Sequence, residues 1–121
     1  MTIAEAEALG RAYLAAGGPW RPGMLWYVTR AAPLESYHGR IDERGHPPTT
    51  GSAWPDFRDP ATVGVLLAVV REAWGAPSLY ACIDTGGTWS VGRDDFDVVA
   101  TGPTEAAALV SAFEARPGRT P

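Results

Sequence analysis

The stretch SLYACIDTGGTWSVG, residues 78–92, decides how the C-terminal half of this chain folds. Two alternating runs flank a glycine-rich centre, the composition of a β-hairpin. Register is the discriminating quantity, because a slip of one residue turns every side chain of a strand to the opposite face. A three-residue loop, Thr85-Gly86-Gly87, sets Asp84 against Thr88, Ile83 against Trp89 and Ala81 against Val91. All the apolar side chains then share one face. A two-residue loop would set Asp84 against Trp89 and Ile83 against Ser90, and would mix the faces. Glycine also stands where a three-residue loop needs a left-handed backbone. The hairpin therefore closes through residues 85–87. A second turn at residues 92–95 is expected to pair Val91 with Phe96 and Trp89 with Val98. That would extend a single apolar face through Leu79, Ala81, Ile83, Trp89, Val91, Phe96, Val98 and Ala100, to be covered by helices.

The same letters contain Asp84-Thr85-Gly86, which resembles the catalytic motif of retroviral-type aspartic proteases. Val91-Gly92-Arg93-Asp94 resembles a second element of that family. In the family the two lie many tens of residues apart, with the flap between them, whereas here they nearly abut. The chemistry needs two carboxylates sharing a proton in a buried site, and Asp84 is expected to flank a turn on the polar face. The stretch is read as a turn.

Outward from the hairpin, the second half is regular. Asp59-Pro60 supplies a helix cap and a proline at the first helical position, where its missing amide costs nothing. Val63, Leu66, Leu67, Val70 and Trp74 follow at helical spacing, and Gly75 closes the helix. Thr104 caps a last helix striped by Ala106, Leu109, Val110 and Phe113. At the other end, Thr2-Ile3-Ala4-Glu5 has the form of a capping box. Ile3, Ala6, Leu9, Gly10 and Tyr13 recur behind it, and Gly17-Gly18-Pro19 stops that helix. Between the helices, MLWYVT (residues 24–29) reads as a strand. Residues 36–41 and 49–54 are weaker strand candidates, kept short or at edges by prolines at 33, 47, 48 and 55.

The expected architecture is α+β: three helices packed on a mainly antiparallel sheet, ending in a helix–three-stranded meander–helix unit. Residues 1–121 are expected to form a single domain. Its parts are an N-terminal helix (1–18), a loop-rich strand section (19–58), the helix–three strands–helix unit (59–115) and a tail (116–121).

Composition narrows the function. At 121 residues and 45% hydrophobic, with five Trp, the chain can bury a core without staples. Cys82 is the only cysteine, so neither an intramolecular disulfide nor a cysteine-based zinc site can be completed. All ten basic residues are Arg and the net charge is −4. Scattered cations on an acidic chain argue against nucleic acid, since phosphate neutralisation needs clustered positive charge. No apolar run approaches the roughly 18–20 residues that span a bilayer, and the acidic N-terminal stretch is unlike a signal peptide. A cytoplasmic protein with no membrane contact is expected.

Few constellations carry chemistry. His38 and His46 flank Asp42 and Glu43, but nothing in the spacing makes ligands converge as a metal requires. No nucleophile elbow surrounds any serine. Cys82 falls mid-strand, away from the apolar face, without an activating cation. Neither a metal nor a cofactor is expected, and no catalytic residue is assigned. Asp94, Asp95 and Asp97 make a short acidic turn that is either solvated or a contact for a basic partner. The aromatics Trp20, Trp26, Tyr27, Tyr37 and Trp54 all fall in the loop-rich section, where they either pin the local core or anchor a partner.

Residues 55–115 resemble a pattern found in small uncharacterised proteins of phages and prophages of GC-rich bacteria. The resemblance rests on Asp59, Pro60, Thr62, Gly64, Leu66, Leu67, Arg71, Trp74, Gly75, Thr104 and Glu105. It implies a fold and a mobile-element context, and no activity. The reading is a non-enzymatic protein-binding module that inhibits or adapts a host protein, such as a defence component, with self-association also open. The alternative is a small-ligand-binding or small hydrolytic domain, with a pocket between the middle section and the sheet and His38, His46 or Asp42 converging in it.

Overall fold

A computed structural model describes residues 1–29, 37–94 and 97–119, with Tyr37 described by its backbone. Among the described residues, three helices and two antiparallel three-stranded sheets give an α+β protein. Where one sheet was expected, there are two compact units, Met1–Val65 and Leu66–Pro121, each with a sheet of its own. The division falls inside the second helix.

In the first unit, helix α1 (Ile3–Ala15) begins at the expected capping box. The Thr2 hydroxyl accepts the Glu5 N–H at 3.1 Å, and the Glu5 carboxylate accepts the Thr2 N–H at 3.2 Å. Ala6, Gly10 and Tyr13 form its buried side, while Ile3, expected in that stripe, is exposed. The Tyr13 hydroxyl donates to the Pro19 carbonyl at 2.5 Å, and its ring meets Phe57 edge-on at 5.5 Å. One side chain thus holds the chain leaving α1 against the segment entering the next helix.

The first sheet has strand β1 (Leu25–Val28) at its centre, between β2 (Tyr37–Arg40) and β3 (Trp54–Pro55). The register places Tyr27 opposite both His38 and Trp54. The strand expected at 49–54 is reduced to Trp54–Pro55, because the residues before it turn instead, the Ala53 N–H donating to the Thr50 carbonyl at 3.3 Å. α1 packs directly on this short strand. A methyl group at Gly10 would lie 2.5 Å from the Pro55 carbonyl oxygen and 3.2 Å from the Trp54 ring, so the close approach needs glycine.

Helix α2 (Pro60–Trp74) starts at Asp59, as expected: the Asp59 carboxylate accepts the Thr62 N–H at 3.0 Å and its carbonyl accepts the Val63 N–H. The start is also tied to the sheet. The buried Thr62 hydroxyl accepts the Leu25 N–H at 2.8 Å and donates to Asp59 at 2.7 Å. Arg40 completes the chain, reaching Asp59 at 3.0 Å and the Gly23 carbonyl at 2.7 Å. Strands β1 and β2 are thereby bonded to the N-terminus of α2.

The second unit holds the rest of α2, strands β4 (Tyr80–Ile83), β5 (Trp89–Arg93) and β6 (Asp97–Gly102), and helix α3 (Glu105–Glu114). Gly75 ends α2 in a left-handed conformation, φ +61°. The Trp74 indole N–H donates to the Ala112 carbonyl at 2.8 Å, joining the end of α2 to α3. Thr104 caps α3, its hydroxyl accepting the Ala107 N–H at 3.1 Å.

The first hairpin has the expected register: Ile83 opposes Trp89, Ala81 opposes Val91, and the Asp84 N–H donates to the Thr88 carbonyl. Asp84 is exposed and its carboxylate accepts the N–H groups of Gly86 and Thr88 at 2.8 and 2.9 Å. It organises a turn rather than a catalytic dyad. Gly87 supplies the left-handed residue, φ +84°.

The second turn differs from expectation. Arg93 opposes Asp97 and Gly92 opposes Val98, whereas Val91 opposes Ala100 and Trp89 opposes Gly102, with a β-bulge between the two sets. Pairing begins with Arg93 against Asp97 rather than Val91 against Phe96, which sets Val98 against Gly92, and the extra residue of β6 after Val98 returns Ala100 to Val91. Val98 therefore sits with Gly92, on the face away from Val91, and is 56% exposed. Phe96 and its expected pairing lie outside the described residues.

Candidate protein-contact surface

The sequence leaves the aromatics of the loop-rich section as either core pins or contact anchors, and in the structure Trp54 is a core pin while Trp20, Trp26 and Tyr27 keep part of their surface. Trp54 is fully buried, with its ring 5.1 Å from Tyr27, and is a packing residue of the first unit. Its close neighbour Gly10 explains this, since a helix without a side chain at that point can cover the indole. Trp20, Trp26 and Tyr27 are each half-buried. Trp26 lies over the opposing Gly39, where an added methyl would stand 2.6 Å from the ring. Tyr27 is held on one side by His38, stacked at 6.5 Å, and carries the Arg58 guanidinium 5.1 Å from its ring centre. Arg58 is itself fixed by a two-point ion pair with the buried Asp56, at 2.9 and 2.7 Å. These aromatics are partly occupied by their own unit.

The acidic turn is likewise engaged. Asp97 pairs with Arg93 at 2.6 Å, and Arg93 lies 5.3 Å over the Trp74 ring. Asp94 is exposed at φ +54°, a conformation that aspartate tolerates in tight turns. Asp95 lies outside the described residues, as does the side chain of Tyr37.

Exposed large apolar side chains gather instead on the second sheet. Among the described residues, and away from Met1 and Ile3, they are Tyr80, Ile83 and Val98, at 40%, 55% and 56% exposure. Tyr80 and Val98 flank the same residue of the central strand, Gly92, on the face opposite Val91. The phenol end of Tyr80 lies across it: a methyl at Gly92 would be 2.8 Å from the Tyr80 oxygen. The next row on that face is Cys82, Ser90 and Thr101, of which Cys82 and Thr101 are exposed. Neither row carries a charge. Ile83 belongs to the opposite face by register, and it escapes burial at the far end of the edge strand, since α3 packs mainly along β6.

The signal that could have found this face was Gly92. A glycine mid-strand marks a bulge or a close approach, and here it marks both, with Tyr80 filling the space above it.

The residues considered for small-molecule chemistry do not converge. His46 lies 3.6 Å from Asp42, both largely in solvent, and Asp42 accepts the Arg44 N–H as a turn-forming carboxylate. His38 is exposed beside Tyr27. Among the described residues, no group of three or more His, Cys, Asp and Glu side chains is placed to hold a metal ion. Nor is any described helix long and apolar enough to cross a membrane. No family model, curated protein or solved structure matches the chain.

Proposed function

We propose that this protein is a non-enzymatic protein-binding module that acts through the outer face of its second sheet. The observation that carries the reading is the uncharged double row Tyr80–Gly92–Val98 and Cys82–Ser90–Thr101, with two large apolar side chains in solvent. Exposed apolar side chains gathered on one face mark interaction surfaces more often than singly scattered ones do. Tyrosine is among the residues that dominate interface energetics, because one ring contributes apolar area and a polar tip. The rigid backing from α3 favours recognition without large ordering costs. The mobile-element context that the resemblance of residues 55–115 implies is the ground for naming a host protein as the partner.

The test is affinity capture from the lysate of a GC-rich bacterial host, run with the natural chain and with a Tyr80→Ser, Val98→Thr variant. A partner protein retained by the first and lost by the second supports the reading. Equal capture by both, or a co-purifying small molecule with no protein, would overturn it.

A further inference from the structure

We infer that two copies of this chain pair through the open edge of β4, in antiparallel register about Cys82. The inference concerns backbone groups and stands apart from the contact-face reading.

Hydrogen bonding along the first hairpin fixes which groups of β4 are free. The Asp84 N–H donates to the Thr88 carbonyl, so Asp84 and Thr88 form a hydrogen-bonded pair. In an antiparallel ladder such pairs alternate, so Cys82 and Tyr80 also turn their backbone groups toward β5. Leu79, Ala81 and Ile83 turn theirs outward. At Leu79 both are taken, the N–H by the Ala76 carbonyl and the carbonyl by Arg71 at 2.7 Å. The outward groups of Ala81 and Ile83 have no partner among the described residues, and β4 is an edge of its sheet.

Other sheet edges in the molecule carry protection of the usual kinds. β3 is two residues long and contains Pro55, β2 ends in Arg40, and β6 begins at the ion-paired Asp97 and is bulged. The β4 sequence, Tyr-Ala-Cys-Ile, has no charge, no proline and no bulge. An unprotected edge is a template for another strand. Its neutrality is what admits a second copy, since a charged strand meeting itself would set like charges opposite one another.

The free groups also select one register. Ala81 opposite Ile83 of the second copy, and Ile83 opposite its Ala81, uses every free donor and acceptor. The register shifted one way would call on Leu79, whose groups are occupied; shifted the other way, it leaves Ala81 opposite the turn residue Thr85. The two-fold axis then passes Cys82, which faces its own counterpart across a non-hydrogen-bonded pair about 4.5 Å apart at Cα. Pairing would join two three-stranded sheets into one of six strands.

The experiment is sedimentation of the whole chain, kept reduced, over a range of concentrations, with reaction of the lone thiol toward a short bis-maleimide as a second readout. The natural chain is expected to reach twice its 12.8 kDa mass and to cross-link in high yield. Ala81→Pro removes an outward N–H and no bond to β5. The two-fold axis makes that two lost hydrogen bonds, so the dimer's dissociation constant should rise about tenfold or more. Cys82→Asp touches no backbone group and sets two carboxylates face to face, so it should give a folded monomer by circular dichroism. A natural chain that stays monomeric at every concentration, including one whose β4 edge takes up a foreign peptide instead, overturns the inference. So does a dimer that survives both substitutions.

Discussion

Thr62 accepts the backbone N–H of Leu25 at 2.8 Å and hands its own proton to Asp59 at 2.7 Å, so one buried hydroxyl joins the central strand of the first sheet to the cap of α2. Thr62→Val keeps the shape and removes both bonds. It leaves the Leu25 amide buried without an acceptor, a loss of about 1–3 kcal/mol. Urea unfolding followed by circular dichroism should show a lower midpoint. An unchanged midpoint would mean that water replaces the hydroxyl.

Asp59 gives this junction a pH dependence. Partial burial pushes its carboxyl upward, but the hydrogen bonds from Arg40 and Thr62 and the Arg40 charge outweigh that and hold it below its ordinary 3.8. A carboxyl lowered in the folded state stabilises fully above its unfolded value, and the contribution disappears as pH falls through the folded one. The stability difference between the natural chain and Asp59→Asn should therefore be constant at neutral pH and shrink below about pH 4. A difference that persisted unchanged in acid would assign the effect to neutral hydrogen bonds.

Gly10 and Gly64 are both helical and predict opposite outcomes. A methyl at Gly10 meets the backbone oxygen of Pro55 at 2.5 Å, which cannot swing aside, so Gly10→Ala should push α1 off β3 and cost about 1–3 kcal/mol. Nothing lies within 4 Å of a methyl at Gly64, which is exposed in α2. There alanine should stabilise by about 0.5–1 kcal/mol, through helix propensity alone. Thermal unfolding of the two variants side by side checks both signs.

Gly92 separates stability from surface shape. The atom that a new methyl would strike is the end of the Tyr80 side chain, which is 40% exposed and can rotate into solvent. Gly92 is buried beneath that side chain, so Gly92→Ala should cost less than about 1 kcal/mol as the ring gives way, yet displace the phenol from the outer face. Unfolding close to that of the natural chain, combined with lost partner capture, is the expected pair of results. Capture left intact would show that the position of Tyr80 does not matter to recognition.

Much of this molecule was readable from local chemistry. The caps at Thr2, Asp59 and Thr104 are short-range bargains between a side chain and the amides next to it, so three or four letters suffice. The register of the first hairpin was legible for a similar reason: glycine at the left-handed position and alternation on both arms admit only one loop length.

The surface depended on relationships between distant parts of the chain. The sequence left Trp54 as either a core pin or a contact anchor, and it is core because Gly10, far away in sequence, lets a helix lie on it. Val98 looked like core and is exposed because the strands pair from Arg93 and Asp97, which sets it against Gly92 rather than Trp89. Ile83 lies on the face that the sequence assigned it, and stays in water because α3 packs along the other edge strand. Secondary structure here follows from near neighbours, whose interactions are written in consecutive letters. Which face of a strand meets solvent depends on what packs against it, and that is a property of the folded chain alone.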